Sequence, residues 1–515
     1  LLLDPGFSGT KSGFLNFAWS GRCRVARSKH SVNGEQHPHN CDAVRTRRRW
    51  PAVAFVGLMV GVPWSVVSAA VLTVGDHGTY STIQDAVNAA LGAGSNEIRV
   101  ERGTYLEGVG VGPALGGDSL EITGGWDAAF AARSSDASLT VIDAEHASQV
   151  VIITTAGGSV SFDGFTITNG FSNSGAGFRV MTTGDAVVTV SNNRLIGNTV
   201  SGTGITQGGG FNYRPFSGSG RCNLVNNLIS GNTVENTGGG ESSGGGVLLY
   251  VHDASSFTAT GNRITDNTCT APMNTVFGCG VIIYHDSTGT GEFKDNLVKG
   301  NRTETAAGTD VQGAGGSLGT GLGGGGTLIA RRNLWIDNRD VGTQEGFHVK
   351  YYVHQDHTLT ASDSVIAGGP DIGVGAWSYQ TSTLHLTNLT IFDHADLGVL
   401  YRGFGAESTL YNTIVYDSTT LIDSSSGIMT SGGNLLGVDP EFVDPANLDC
   451  RLRAGSPALN GGDNSPPGGL GPTDVQGNPR VLDGVVDVGA YEGVGTLFED
   501  GFESGDTSGW SVVVP

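Results

Sequence analysis

Asn193-Arg-Leu-Ile-Gly-Asn198 is one copy of a phrase that this chain repeats, and the repeat decides its fold. The phrase has Asn, any residue, an aliphatic residue, two more residues and often a second Asn. A fixed period of about 35 residues predicts a solenoid in which each repeat packs on its neighbours. The other strong copies are Asn227-Leu-Ile-Ser-Gly-Asn232, Asn262-Arg-Ile-Thr-Asp-Asn267, Asn296-Leu-Val-Lys-Gly-Asn301 and Asn333-Leu-Trp-Ile-Asp-Asn338; weaker copies begin at Asp163, Asp363, Asn388 and Asn412.

A second column of residues lies about 15 positions upstream of each copy. It consists of a glycine cluster followed by an apolar residue, as in Gly208-Gly-Gly-Phe211, Gly244-Gly-Gly-Val247 and Gly278-Cys-Gly-Val281. Between the columns, apolar and polar residues alternate, which is the pattern of a strand with one buried face. Short strands at fixed spacing, with no room for helices between them, predict an all-β, single-stranded, right-handed parallel β-helix.

The repeated asparagines have a predicted structural role in this architecture. Each lies two residues before an inward aliphatic residue, so its side chain should point to the same side. We therefore expect these asparagines inside the turns, with hydrogen bonds to the turn backbone or to one another along the stack. Ligand binding is the alternative, and it is less favoured because identical inward residues suit packing better than chemistry. The predicted structural Asn ladder consists of Asn193, Asn227, Asn262, Asn296 and Asn333.

A short capping helix is predicted at the N-terminal end of the stack. Ser81-Thr-Ile-Gln84 reads as a capping box, and five apolar residues then follow at helical spacing. Such a helix would cover the open strand edges of the first coil. Its apolar face consists of Ile83, Ala86, Val87, Ala90 and Leu91.

An export signal is predicted upstream. Four arginines between Arg45 and Arg49 precede an apolar run from Pro51 to Val67, and small residues follow it up to Ala70. This order is typical of a secretory signal, with an uncleaved anchor as the alternative. We therefore predict a leader at 1–44, a signal peptide at 45–70, a β-helix at 71–437, a distinct C-terminal segment at 438–493 and a tail at 494–515.

The charge of the chain restricts its partners. A formal net charge of −21 repels nucleic acid and anionic membranes. It also disfavours a polyanionic substrate unless calcium bridges the two, so Ca²⁺ is an open expectation and no other cofactor is indicated. We expect a monomer with no transmembrane span after signal removal. In an exported protein Cys269 and Cys279 could form a disulfide, with small buried thiols as the alternative.

Several phrases resemble a known group of proteins. Tyr80–Val87 and Val100–Tyr105 resemble the entry segment of pectin-lyase-like parallel β-helices. Asp439–Phe442, Ser456–Leu459 and Asp487–Glu492 resemble the choice-of-anchor Q domain, although Asn460 stands where that family usually has Asp. The resemblance implies a β-helix secreted by, or held on the outer surface of, a bacterium. It does not imply an activity, since a fold does not determine function.

One candidate site is a column of histidines and carboxylates. His252-Asp253 and His285-Asp286 occupy matching places in consecutive repeats, so they could stack about 5 Å apart. His354 falls near the same place. A histidine with a carboxylate partner can transfer protons, or bind metal. The plainer interpretation is that these are turn-forming polar residues at strand ends.

A second candidate lies in Phe347-His-Val-Lys-Tyr-Tyr352. Alternation directs His348, Lys350 and Tyr352 to one outward face, where an aromatic residue could stack on sugars and Lys350 could neutralise a uronate. The same row would suit β-elimination, in which a base removes the proton next to a carboxylate. Tyr401 and Arg402 could extend this groove. Outward polar rows are also common on β-helices without any function.

A third, weaker candidate is the carboxylate pair Asp393 and Asp396, which flank His394. The paired-Asp signature of polygalacturonase-like hydrolases is absent from the sequence. Two functional hypotheses remain. The favoured one is a secreted or cell-surface rod, adhesin-like, that binds extracellular polysaccharide or a cell-surface glycan. The alternative is a polysaccharide lyase or glycoside hydrolase with a groove on the β-helix.

Overall fold

The computed structural model describes residues 70–91, 94, 96–113, 117–305, 311–323, 325–341, 346–369 and 372–493. The predicted leader, the predicted tail and all of the predicted signal peptide except Ala70 lie outside the described residues. Ala70 begins the first described strand, Ala70–Val74.

Within the residues that the structure describes, the parallel strands stack in four sheets, named A to D. Sheet A contains thirteen strands: Ala70–Val74, Asn96–Glu101, Ser119–Trp126, Ser159–Asp163, Val187–Ser191, Arg221–Val225, Ser256–Thr260, Thr290–Lys294, Thr327–Arg331, Thr358–Ser362, Thr383–Thr387, Glu407–Tyr411 and Thr430–Gly432.

Sheet B has a long-strand row and a short-strand row. The long-strand row contains Val109–Val111, Val151–Thr155, Phe178–Thr182, Phe211–Tyr213, Val247–Asp253, Val281–Ser287, Gly316–Thr320, Phe347–Val353 and Ile372–Tyr379. The short-strand row contains Gly103–Leu106, Thr140–Asp143, Thr166–Thr168, Arg194–Ile196, Leu228–Ser230, Arg263–Thr265, Leu297–Lys299, Leu334–Ile336, Val365–Gly369 and Leu435–Leu436. Two continuous strands, Thr390–Phe404 and Ile414–Ser426, join the rows.

Sheets C and D form the remaining corner. Sheet C contains Phe171–Ser172, Thr199–Gly202, Thr233–Asn236, Thr268–Ala271, Arg302–Thr305 and Arg339–Val341. Sheet D contains Thr206–Gln207, Ser242–Ser243, Val276–Phe277 and Val311–Gln312. One coil runs through the long row, sheet A, the short row, sheet C and sheet D. The predicted all-β, right-handed parallel β-helix is confirmed, and its hand is the usual one for parallel crossovers.

The core is one continuous column of inward side chains. Alternation predicts it, and the structure shows it, for example in Ser256–Thr260, where Phe257 and Ala259 are buried. Buried apolar residues pack together from Val74 in the first coil to Val415 near the last. Because one coil cannot bury its own inner face, the stacking of neighbours supplies most of the hydrophobic stabilisation.

The five predicted asparagines stand over one another at the corner between sheet A and the short row. The side chain of Asn193 donates to the Asn227 Oδ1 at 3.2 Å, and the next three steps measure 3.0, 3.0 and 3.1 Å. Each Oδ1 also accepts the backbone N–H of the preceding Asn, as from Asn227 to Asn262 at 3.0 Å. The column closes on the hydroxyl of Ser364.

The second Asn of the phrase forms a second ladder, at the corner between the short row and sheet C. Its side chain-to-side chain bonds measure 2.8 to 2.9 Å. This second Asn is part of the repeated phrase, but its role could not be predicted from the repeat alone. The members of the second ladder are Asn198, Asn232, Asn267, Asn301 and Asn338.

Each ladder position follows a residue with positive φ, which turns the corner. Asn192 and Asn226 have φ of 54° and 55°, values that Asn and Asp tolerate better than other side chains. The three later copies named at Asp363, Asn388 and Asn412 are therefore displaced by one residue. These side chains occupy the turn position, with φ of 51° to 54°, and not the inward position.

The glycine column exists because the second ladder leaves no room for a side chain. The position that a Cβ atom would take on Gly246 lies 2.9 Å from Asn267 Nδ2 and 2.6 Å from the carbonyl oxygen of Gly280. Gly210, Gly280 and Gly315 meet their own ladder asparagines at 2.8 Å. The glycines and asparagines of the repeat therefore form one packed corner.

The predicted capping helix runs from Ile83 to Ala90 and buries Ile83, Ala86, Val87 and Ala90. Its cap differs from the prediction by one residue, because Thr82 is the N-cap and accepts from the Asp85 N–H at 3.2 Å. The Glu107 carboxylate accepts from the N–H groups of Ile83 and Gln84, which satisfies two further donors of the first turn. Short 3₁₀ helices occur at Ala137–Leu139 and Pro445–Asn447.

The suggested disulfide between Cys269 and Cys279 is not formed, and both are buried free cysteines. They pack with Val200, Val234 and Val276 in a small apolar cluster. The Cys279 thiol lies 3.2 Å from the carbonyl oxygen of Arg302. Burial raises the pKa of Cys279, so the thiolate needed for oxidation is disfavoured.

The C-terminal segment folds against the side of the short row. It contains an antiparallel pair, Phe442–Asp444 with Asp449–Leu452, and it packs on Val365, Phe392 and Ile414. Arg480 is fully enclosed between Asp363 at 3.5 Å and Glu492 at 3.3 Å. Burial raises the pKa of Glu492 to about 8. No helix of the described part of the chain is long and apolar enough to cross a membrane.

We predict that Asn262→Ala strongly destabilises the β-helix. The change removes the acceptor of the Asn227 N–H and Nδ2 groups, and each buried group left unpaired costs roughly 1–3 kcal/mol. Urea unfolding followed by circular dichroism measures the loss against Asn88→Ala, a change of an exposed helix residue. Equal midpoints for the two variants would contradict the structural role of the ladder.

Candidate functional site

The outer side of the long-strand row carries a continuous strip of aromatic side chains. Tyr250 pairs in register with Tyr284, which pairs with Gly319, and the file continues through three more coils. We call this file and its neighbour the outer aromatic face. The first file contains Tyr250, Tyr284, Gly319, Tyr352, Trp377 and Arg402; the neighbouring file contains His252, Asp286, Gly321, His354, Tyr379 and Phe404.

Rings within each file stack on one another. The Tyr250 and Tyr284 rings are 4.9 Å apart and nearly parallel. His354 and Tyr379 are 4.3 Å apart, and Tyr379 and Phe404 4.8 Å apart, again nearly parallel. The parallel strand spacing of about 4.8 Å sets these distances. Phe404 is half exposed, so the second file ends in an open ring face.

A glycine-rich coil interrupts both files and changes how the side chains lie. Three consecutive ring atoms of Tyr352 lie 2.1 to 2.3 Å from the position that a Cβ atom would take on Gly319. The ring therefore lies across the backbone of Gly319, and a side chain at 319 would displace it. Tyr352 remains partly exposed in this position.

The side chain of Asp286 likewise lies over a glycine of this coil, Gly321. Its carboxyl carbon lies 2.4 Å from the Cβ position of Gly321, and its Oδ1 accepts the N–H of Gly323 at 2.6 Å. Burial raises the pKa of Tyr284 to about 12, and the nearby carboxylate of Asp286 contributes to this increase. Tyr284, Asp286, Tyr352 and His354 thus surround the glycine coil.

Three cations border the face, each held by a neighbour. Lys350 places its ammonium 4.1 Å from the centre of the Trp377 ring and contacts the Gln312 side chain. Arg214 stacks over Tyr250 at 4.8 Å, and Arg402 pairs with Asp423 at 3.4 Å. Burial, then His357 and Lys350, lowers the pKa of His354. The cations therefore add charge to the face without forming one cationic patch.

The predicted His-Asp column does not form. His252 pairs in register with Asp286, and His285 pairs with Val251, because the chain carries one more residue between tyrosine and histidine in the first repeat. A shift of one residue sends a side chain to the opposite face of a sheet. His252 is therefore outward, 3.4 Å from Asp253 and bonded to the Pro215 carbonyl, whereas His285 is in the core.

His285 has no role on the outer face. It is fully buried, neither ring nitrogen has a hydrogen-bond partner among the described residues, and Phe257 and His357 pack around it. Burial, followed by the neighbouring His357, lowers its pKa to about 4. It is therefore excluded from a proton-transfer role on the outer face.

His348 and Tyr401 also lie inside and not in the predicted groove. His348 Nε2 lies 2.7 Å from Asn338 Nδ2, so the imidazole closes the second Asn ladder. Tyr401 is buried and bonds the Ser378 hydroxyl at 3.1 Å. The prediction of an outward His348 from alternation is wrong because the strand is irregular there. Phe347 and Val349 should face the same side, but Phe347 packs outside with Trp377 and Val349 lies in the core.

The structure thus places Asp286, Lys350, Tyr352 and His354 on the outer aromatic face, with His252 and Asp253 at one end of it and Arg402 at the other. It places the other predicted residues, His285, His348 and Tyr401, inside. Sequence analysis missed Tyr284, Trp377, Tyr379 and Phe404 as members of the face. The sequence signal for these residues is an aromatic residue at an equal distance from the glycine column in successive repeats. That signal is useful only when the register between the repeats is known. Aromatic rings beside polar groups suit the recognition of a ligand with apolar and hydroxyl-bearing surfaces.

Comparisons with known proteins identify no relative by sequence. No protein-family model matches the chain, and no curated protein matches it. Solved structures that are similar to it include a pectate lyase and a glucanase. Pectate lyase Pel9A has 13% identity and a TM-score of 0.41, covering 83% of this chain and 97% of that one.

The second is the catalytic unit of a thermostable GH87 alpha-1,3-glucanase from Streptomyces thermodiastaticus strain HF3-3. It has 10% identity and a TM-score of 0.24, and the match covers 69% of this chain and 67% of that one. Similarity at this level adds nothing to the assignment of a function, which therefore rests on the residues of the outer aromatic face.

We predict that His285 makes the β-helix sensitive to acid. Its pKa in the fold, about 4, lies below the ordinary value of 6.5, so the fold holds the neutral imidazole. The stabilisation is complete above pH 6.5 and is lost as the pH falls towards 4, by up to about 3 kcal/mol. His285→Leu should flatten the fall of the urea midpoint between pH 6.5 and 4, whereas the exposed His146→Asn should leave it unchanged.

His394, whose pKa burial also lowers to about 4, and His348 would retain part of the acid sensitivity in the His285→Leu variant. The expected result is therefore a reduced slope and not a flat profile. If the urea midpoint of the variant falls with pH as steeply as that of the parent chain, His285 contributes nothing to the acid sensitivity.

Proposed function

We propose that this protein binds extracellular polysaccharide or a cell-surface glycan along its outer aromatic face. The observation that carries the proposal is the Tyr352 ring, which lies across Gly319 between Tyr284 and Trp377 in one file. A ring laid flat on glycine backbone presents a broad, rigid surface to a ligand. Aromatic side chains pay little conformational entropy when they bind, which makes them effective contact residues.

The polar groups of the face complement this surface. Asp286 and His354 can exchange hydrogen bonds with sugar hydroxyls at the glycine coil. Lys350 lies one coil further along, and Arg402 lies three coils further along. The file extends over several coils, so a chain-like ligand running along the axis would contact repeated rings. His252, Asp253 and the Arg214–Tyr250 pair would contact such a ligand at its other end.

The proposal includes an extracellular location. The signal peptide predicted at 45–70 supports export from a bacterium, and the net charge of −21 supports a partner other than nucleic acid. The resemblance of 438–493 to the choice-of-anchor Q domain supports attachment to the cell surface. In this hypothesis the β-helix is an adhesin-like rod, and the C-terminal segment on its side is part of the attachment.

A catalytic function is the second candidate, and one observation favours it. Asp286, Lys350 and His354 lie on the same outer face around the outward glycines Gly319 and Gly321, so a carboxylate, a cation and an imidazole border one place. Lys350 or His354 could serve as a base in a polysaccharide lyase, and Asp286 as an acid in a hydrolase. Ca²⁺ would be needed only for a polyanionic substrate on this acidic chain.

We predict that Tyr352→Ala weakens polysaccharide binding about tenfold or more, and that Gly319→Ala does the same by displacing the Tyr352 ring. Affinity electrophoresis in gels containing neutral or uronic-acid polysaccharides measures the retardation. Tyr411→Ala, on sheet A, and Gly204→Ala, whose Cβ would meet no neighbouring atom within 4 Å, are the matched controls.

Retardation that survives both Tyr352→Ala and Gly319→Ala would refute the proposed face, and so would the absence of retardation by every polysaccharide tested. The same polysaccharides, incubated with the chain, test the second candidate. Release of unsaturated or reducing-end products that is abolished by Lys350→Ala or Asp286→Asn, while Asp396→Asn retains it, would establish catalysis instead of binding alone.

A further inference from the structure

A cavity opens at the corner where the second Asn ladder ends. The ladder position after Asn338 is taken in successive coils by Gly369, His394 and Ser418, which pair in register. None of these three can continue a chain of amide-to-amide hydrogen bonds. The regular corner therefore gives way to a cavity of about 490 Å³ that these three residues help to line.

Two carboxylates from the turn positions of this corner also line the cavity. Asp393 and Asp417 have φ of 59° and 55°, and they occupy equivalent places in adjacent coils. In the part of the chain that the structure describes, neither carboxylate accepts a hydrogen bond or joins an ion pair. No lysine or arginine lies among the described residues that line the cavity. The site thus holds like charges without a counter-ion.

The imidazole of His394 adds a third acceptor. His394 is 1% exposed, and its Nε2 lies 3.2 Å from the carbonyl oxygen of Ile366, so Nε2 carries the proton. Nδ1 is left with a lone pair and no partner among the described residues. This nitrogen lies 2.9 Å from the Cβ position of Gly369, which also lines the cavity. The His348 ring, centred 5.4 Å away, makes no hydrogen bond to it.

The remaining lining is suited to a small organic group. Ser418 contributes a buried hydroxyl oxygen without a partner in the described structure. Tyr416 contributes an aromatic wall, held 6.0 Å from the Phe392 ring in a stacked arrangement. Aromatic faces attract organic cations as well as apolar groups.

We propose that this cavity is a binding site for an organic ammonium group. An ammonium supplies what the lining lacks: a positive charge between Asp393 and Asp417, and N–H donors for the carboxylates and for His394 Nδ1. The group could belong to a free amine or to an amino sugar, since both present the same ammonium. A divalent cation is less suited, because it takes more oxygen ligands than this corner gathers.

The site is separate from the outer aromatic face. Both lie on the strand Thr390–Phe404, but His394 is at the short-row corner and Phe404 is at the far end of the strand. The proposal does not depend on the polysaccharide-binding function. Variants of the cavity can therefore be tested while binding at the outer aromatic face serves as a check of the fold.

Isothermal titration calorimetry on the full chain tests the site with ethanolamine, glucosamine, N-acetylglucosamine and calcium chloride as probes. We expect saturable binding of ethanolamine and glucosamine, and none of N-acetylglucosamine, whose nitrogen is uncharged. Asp393→Asn and Asp417→Asn should each weaken amine binding at least tenfold. Asp396→Asn, which changes a carboxylate on the same strand that does not line the cavity, should leave it unchanged.

The Asn variants should fold, since Asn192 and Asn226 occupy the same kind of turn with the same φ. An unchanged urea midpoint confirms this for each variant. The proposal is overturned if N-acetylglucosamine binds as well as glucosamine, if no amine binds, or if Asp396→Asn weakens binding as much as Asp393→Asn. Calcium binding that requires Asp393 and Asp417 and that amines do not displace would identify a metal site and refute it.

Discussion

The structure depends on buried amides that only a neighbouring coil can satisfy. Each ladder Asn has two donors and an acceptor in the core, where an unpaired polar group costs free energy. Asn262 gives one N–H to the Leu224 carbonyl and one to Asn296, and its oxygen accepts twice from Asn227. This pattern continues only while the same residue returns one coil later, and it ends where Ser364 takes the place of Asn. The ladders therefore fix register as well as adding stability.

Register then determines which side chains lie together on the outside of the β-helix. With the ladders aligned, Tyr250, Tyr284, Tyr352 and Trp377 fall in one file and their rings stack. The same constraint separates His252 from His285, because one additional residue between two fixed points changes the face on which a side chain emerges. The chemistry of the surface is thus a consequence of turns that lie elsewhere in the coil.

The sequence predicted the ladder and the solenoid because both depend on repetition, which needs no knowledge of three-dimensional contacts. The alternation of apolar and polar residues within the strands and the apolar face of the capping helix could be predicted for the same reason. The site was predicted only in part. Lys350, Tyr352 and Asp286 were identified, but His285, His348 and Tyr401 were assigned to the outside and lie inside. Parity counted from a single strand cannot detect an irregular pair such as Phe347 and Val349, which face different clusters.

Glycine has two opposite uses in this fold, and the contrast explains where chemistry can arise. In the repeated corner, Gly246 and Gly280 are required because a Cβ would strike the ladder, so the corner is closed. On the outer face, Gly319 and Gly321 leave space that Tyr352 and Asp286 enter from neighbouring coils. At 369, 394 and 418 the ladder itself is replaced, and a cavity with unpaired acceptors results. Both candidate sites therefore stand where the repeat is broken: regular coils satisfy one another's buried polar groups, and only a departure from the repeat leaves groups that a ligand can satisfy.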